Sequence, residues 1–172
     1  MKNICKVVLA VSVTGFSINS FAQAMAIAST SSTIITPIAI TKTVDMNFGN
    51  IAVSPAMGGM VVLDPASNRT TGGAGGVTLP VTAGSVSAAS FTVAGAASYS
   101  YSITLPVSAV NLSSGSNNMN VTNFTSSPAY TGVLGPGGTQ TLTVGATLNI
   151  AAGQTPGIYP ATSPLSVTIN YN

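Results

Sequence analysis

Apolar and polar residues alternate with a period of two along most of the chain, which is the spacing of side chains on a β-strand. In SYSYSITLP, residues 98–106, Tyr99, Tyr101, Ile103 and Leu105 fall on one side and Ser98, Ser100, Ser102 and Thr104 on the other. TQTLTVGATLNI, residues 139–150, repeats the device with Leu142, Val144, Ala146, Leu148 and Ile150 against Thr141, Thr143, Thr147 and Asn149. Further strands are expected at 33–41, 45–53, 60–63, 77–81, 86–94, 118–124 and 165–171. Pro55, Gly58-Gly59, Ser113 to Ser116 and Gly135 to Gly138 punctuate them as turns. No window of about eleven residues beyond the N-terminal stretch carries a helical period. About nine short strands without helices predict an all-β fold, an antiparallel immunoglobulin-like β-sandwich. Its inner faces would be Val, Ile, Leu, Ala and Met, filling a layer roughly 10 Å thick.

The two ends of this pattern stand out. Near the start, Ile34, Ile38, Ile40, Val44, Met46 and Phe48 share one parity over a stretch long for a single strand. Pro37 has no N–H to give, so the part before Lys42 reads as an edge strand or as a segment paired on one side only. At the other end, Leu165, Val167, Ile169 and Tyr171 alternate up to the penultimate position. Such a strand is either the last strand of its own sandwich or half of an interface with another chain.

Composition narrows the choice of function. At 172 residues one domain is expected. Lys2 and Lys6, the apolar run from Val7 to Ile18 and Ala22-Gln23-Ala24 have the layout of a cleaved secretory signal over 1–24. Its apolar run is shorter than the roughly 20 residues of a spanning helix, so export without a membrane anchor is expected. The division is then 1–24 signal, 25–42 N-terminal extension or first strand, and 43–172 β-sandwich. Beyond the signal only Lys42, Arg69, Asp45 and Asp64 are charged, and they cancel. Two cations cannot neutralise a run of phosphates, so no nucleic-acid partner is expected.

Cys5 leaves with the signal, and the remaining chain has no Cys, His, Glu or Trp. Serine chemistry then has only Lys42 for a base, carboxylate chemistry has only Asp45 and Asp64, and zinc has no thiolate or imidazole ligand. The expectation is a protein that is not an enzyme and carries no cofactor. Calcium at Asp45 and Asp64 lacks a supporting loop spacing. GGAGG at 72–76 is followed by no Lys-Ser/Thr, so it reads as a hairpin loop and not as a phosphate cradle. The shortage of charge also leaves sheet edges without the Lys and Glu that discourage pairing with other chains.

The C-terminal run GIYPATSPLSVTINYN, with Gly157 and Tyr159 ahead of the alternating residues and Tyr171 next to last, resembles the ending of chaperone–usher pilus subunits. Together with DMNFGNI at 45–51 and TQTLTVGATLNI, it is similar to a family of small exported bacterial domains of unknown function with immunoglobulin-like or fimbrial-like folds. The resemblance implies a structural subunit of a surface fibre, a fimbria or pilus, whose sandwich lacks one strand and is completed by a donor strand. Leu165, Val167, Ile169 and Tyr171 would border the groove, and Ile34, Ile38 and Ile40 would be the donor side chains. Copies of itself or related subunits would be the partners, with a periplasmic chaperone and an outer-membrane usher in transit to the cell surface or an extracellular fibre. The disulfide of several pilin groups is missing. The alternative is a monomeric secreted immunoglobulin-like binding module for a carbohydrate or surface ligand, with Tyr130 and Tyr159 beside its turns.

Overall fold

The computed structural model describes residues 23–172, and every regular element among them is a β-strand. The expected signal falls almost wholly outside the described residues. The chain divides into two units, Met1–Thr33 and Ile34–Asn172. Residues 23–33 of the first are exposed and without regular structure.

The strands of the second unit are β1 (Ala39–Val44), β2 (Asn47–Phe48), β3 (Ala52–Val53), β4 (Gly59–Leu63), β5 (Arg69–Gly72), β6 (Val77–Thr78) and β7 (Val86–Ser87). They continue as β8 (Ala89–Ala94), β9 (Ser100–Thr104), β10 (Val110–Ser114), β11 (Asn117–Ser127), β12 (Thr131–Val133), β13 (Thr139–Ile150) and β14 (Thr168–Tyr171). The large sheet runs β1-β8-β13-β11-β10, with β4 and β5 added to it through β13. A smaller sheet has the order β12-β9-β14, and β2-β7 and β3-β6 form two short ribbons. All these pairings are antiparallel.

Strand β13 organises the large sheet because its unbroken alternation lets it serve two neighbours on one side, placed end to end. Thr139–Val144 pairs with β8 and Ala146–Ile150 with β4. Gly145 lies between them, where a Cβ would collide with the Leu63 carbonyl oxygen as the chain leaves β4. The strand orders are compatible with an immunoglobulin-like sandwich. Among the described residues β14, the last strand, is flanked by β9 alone, so it is an edge of the three-stranded sheet.

Two expected strands shift and two split, 86–94 dividing at Ala88 into β7 and β8. The first begins only at Ala39, after Pro37, and the last acquires a ladder only at Thr168. The 45–53 stretch divides into β2 and β3 at Gly49, whose φ of 68° turns the chain. Strands β5 and β12 have no apolar alternation to announce them, β10 has only Val110 and Leu112, and the glycine-rich stretch after Gly72 joins β5 to β6.

The interior forms two apolar clusters. One gathers Phe91, Val93, Tyr101, Ile103, Leu134, Leu142, Val144 and Ile169, drawn from both sheets. The other gathers Phe48, Val61, Leu63, Val110, Val121, Leu148 and Ile150, with half-buried Met46, Ile51, Leu112, Met119 and Phe124 around it. The small sheet therefore supplies side chains to the first cluster and none of the buried members of the second. Tyr101 is fully buried, and burial pushes its phenol pKa up. Its hydroxyl donates to Gln140 Oε1 at 2.7 Å, which satisfies the polar atom that this ring carries into the core. Gly132, opposite Tyr101 in the β9–β12 pair, leaves room for that ring, since a Cβ there would overlap the phenol. Gly132→Ala is expected to cost about 1–3 kcal/mol of stability through overpacking. Urea unfolding checks this, and a variant as stable as the parent would contradict the close approach.

A candidate strand-accepting groove

Beside the second cluster the surface opens into a groove of about 1200 Å³. Buried side chains of the large sheet, among them Phe91, Val110, Val121, Leu148 and Ile150, line it, together with the chain at 42–53 and at 154–161, and Pro164 and Leu165. Small-molecule sites span roughly 300–1,000 Å³, so this opening suits a longer occupant. Its lining is nearly free of charge. Lys42 and Asp45 also line it and pair with each other at 2.5 Å, both largely exposed, an arrangement that adds little stability.

Local sequence holds each border in place. On the 42–53 side, Asn47 Oδ1 accepts from Gly49 N at 2.8 Å, closing the turn that Gly49 makes. Arg69 donates through Nη1 to the carbonyls of Phe48 and Asn50 at 2.6 and 3.0 Å, so this guanidinium serves the backbone. On the other side, Ser113 N donates to Pro160 O at 3.0 Å and Thr162 N to Asn111 O at 2.8 Å. These bonds lay residues 160–162 along the free side of β10.

Beyond them, Ser163, Leu165 and Val167 are half-buried while Pro164 and Ser166 are exposed, the alternation of a strand. Yet no backbone hydrogen bond within the described chain involves residues 163–167. The register of β14 extends this vacancy. Asn172 N donates to Ser100 O and Ile103 N donates away to Tyr130 O, with Thr168 opposite Thr104 and Ile169 opposite Ile103. In an antiparallel pair, hydrogen-bonded and non-bonded positions alternate. Thr168, Asn170 and Asn172 therefore turn their backbone groups toward β9. Ile169 and Tyr171 turn theirs toward the open side, and Leu165 and Val167 continue the same side-chain parity ahead of the ladder.

The seven residues singled out in the sequence are placed as follows. Ile169 is buried in the first cluster, and Leu165, Val167, Ile38 and Ile40 pack against it half-buried. Leu165 also borders the groove. Ile40 lies opposite Val93 in the β1–β8 pair, so Ile38 and Ile40 are engaged by their own chain. Ile34 is 97% exposed. Tyr171 donates its hydroxyl to Thr36 O at 2.8 Å and accepts from Ala96 N at 2.6 Å. Its ring meets Tyr99 edge-on at 5.7 Å, and a Cβ on Gly95 would collide with the hydroxyl. It ties the C-terminal strand to the chain just ahead of β1.

Sequence reasoning missed the groove lining, because Phe91, Val110 and Val121 look like any core positions when the coverage of the second cluster is unknown. It also passed over Met25 and Ile27, which are 88% and 94% exposed. Asp64 caps its own turn, accepting from Asn68 Nδ2 at 2.9 Å, Asn68 N at 2.8 Å and Ala66 N at 2.9 Å. The Asn68 side chain above all, then its backbone N–H, hold this carboxyl below its ordinary value of 3.8. With Asp45 on Lys42, the two carboxylates have separate local tasks. Among the described residues no group of three metal-ligating side chains occurs.

Tyr171→Phe keeps the ring against Tyr99 and removes the hydroxyl, leaving Ala96 N–H and Thr36 C=O without their partner. The expected loss is about 1–2 kcal/mol, measured by urea unfolding. No loss would contradict the tether.

Residues 38–171 match the family model described as a domain of unknown function (DUF4402). The chain belongs to that family. Neither the curated proteins nor the solved structures searched returned a match.

Proposed function

We propose that this DUF4402 protein is a non-enzymatic structural subunit of a bacterial surface fibre, exported by its N-terminal signal and assembled by β-strand addition between copies. The observation that carries the reading is the row Leu165, Val167, Ile169 and Tyr171. Its side chains pack inward, the backbone of Ile169 and Tyr171 faces away from β9, residues 163–167 make no backbone hydrogen bond among the described residues, and Leu165 borders an apolar groove. Backbone N–H and C=O groups demand partners, and a strand laid along this edge would supply them while covering the groove.

The occupant is the N-terminal segment of a second copy. Residues 25–35 carry no charge, and Met25, Ile27 and Ile34 are exposed apolar side chains. At ~3.3 Å per residue such a segment reaches about 36 Å, long enough to run past 163–171. Because Ile38 and Ile40 pack in their own chain, the donated side chains come from the part before Thr36. Before assembly an open groove of this kind needs a cover, the task of a periplasmic chaperone acting with an outer-membrane usher.

Surface material from the producing cells, run on SDS gels unheated and heated, is expected to give a ladder that collapses to monomer on boiling. Deleting residues 25–35 is expected to abolish the ladder and leave a folded monomer. An unheated monomer band alone would contradict strand exchange and favour a monomeric binding module.

A further inference from the structure

The segment Gln154–Ala161 borders the groove, yet nothing described so far accounts for its sequence. Both ends are anchored. Gln154 Nε2 donates to Asn118 O and Thr155 Oγ1 to Asn117 Oδ1, each at 3.4 Å, and Pro160 O accepts from Ser113 N. Between the anchors the chain forms an arch. Tyr159 closes it from within, its hydroxyl donating to Thr155 O at 2.6 Å.

The backbone of Gly157, Ile158 and Tyr159 makes no hydrogen bond to other backbone among the described residues. Pro156 and Pro160 have no N–H to contribute, so the arch offers donors at only these three positions. At its middle Ile158 is 88% exposed, although the arch lines an apolar groove. Around Gly157 there is space, the closest atom to an added Cβ being Ser114 Oγ at 3.3 Å.

We propose that this arch is a clasp, which closes over an extended, uncharged strand lying in the groove and holds it through Ile158. The clasp rests on the strand-accepting reading and adds a specific contact to it. A strand in the groove presents Ile158 with an apolar neighbour that the free subunit lacks, so burying this side chain slows release of the strand. A single exposed isoleucine is otherwise an ordinary surface feature. The two accounts differ in what the residue does once the groove is filled.

The test uses the chain lacking residues 1–35, which cannot fill the groove of another copy, and a fluorescein-labelled peptide of residues 25–35 as probe. Ile158→Ser is expected to weaken peptide binding about tenfold or more, mostly through faster dissociation. Ile158→Val should bind nearly as the parent does. Neither change is expected to move the melting temperature of the peptide-free protein, because Ile158 is exposed there. Parent-like binding by Ile158→Ser would overturn the clasp and leave the groove reading intact. A lowered melting temperature without peptide would also overturn it, since Ile158 would then be stabilising the free subunit. Failure of the parent itself to bind the peptide would overturn the groove reading and the clasp together.

Discussion

An edge strand presents a row of backbone N–H and C=O groups that can pair with another chain, and the C-terminal strand here is such an edge, paired with β9 on one side among the described residues. Thr168, Asn170 and Asn172 face β9, and the intervening residues face outward. The small sheet ends there, so its buried side chains reach only the first apolar cluster. The second cluster is left with a long opening toward solvent. The row of residues that leads into this open edge meets the groove at Leu165.

The incomplete strand is held firmly at its far end. Ile169 is buried among Tyr101, Ile103 and Leu142, and the Tyr171 hydroxyl bridges Ala96 N and Thr36 O. These contacts fix the direction of the unpaired row without occupying the groove. They also fix where the N-terminal segment leaves the sandwich, since residues after Thr36 lead into β1 and residues 23–34 are exposed. In the proposed fibre, one end of the sandwich accepts a strand while the other end supplies one. Low charge suits both partners, because neither the segment nor the groove has to desolvate an unpaired ion.

Much of the fold was legible because period-two alternation is a local signal. TQTLTVGATLNI was read with the boundaries that β13 has, and SYSYSITLP contains β9. Strand β5, RTTG, was not legible, since it is held by pairing to β4 and not by an apolar face, and β10, VNLSS, offers only Val110 and Leu112 on its inner side, too few to read as an alternation. The β10–β11 turn falls within the serine-rich stretch 113–116 that was read as a turn, whereas the β4–β5 turn at 64–68 was not read and GGAGG, expected as a hairpin loop, connects strands of different sheets. For the site, the parity of Leu165, Val167, Ile169 and Tyr171 was visible, but their open backbone side depends on register with β9. Ile38 and Ile40 show why parity alone is insufficient. The same alternation that suits a donor strand also suits β1 packed on its own core, and burial separates the two.

The central claim is that one side of the C-terminal strand awaits a partner, and amide hydrogen exchange reads the two sides separately. In the mature chain lacking residues 25–35, Thr168 and Asn170 amides are expected to exchange slowly, and those of Val167, Ile169 and Tyr171 quickly. In assembled material all five are expected to be protected. Slow exchange at Val167, Ile169 and Tyr171 in the isolated chain, or their continued fast exchange after assembly, would contradict the account.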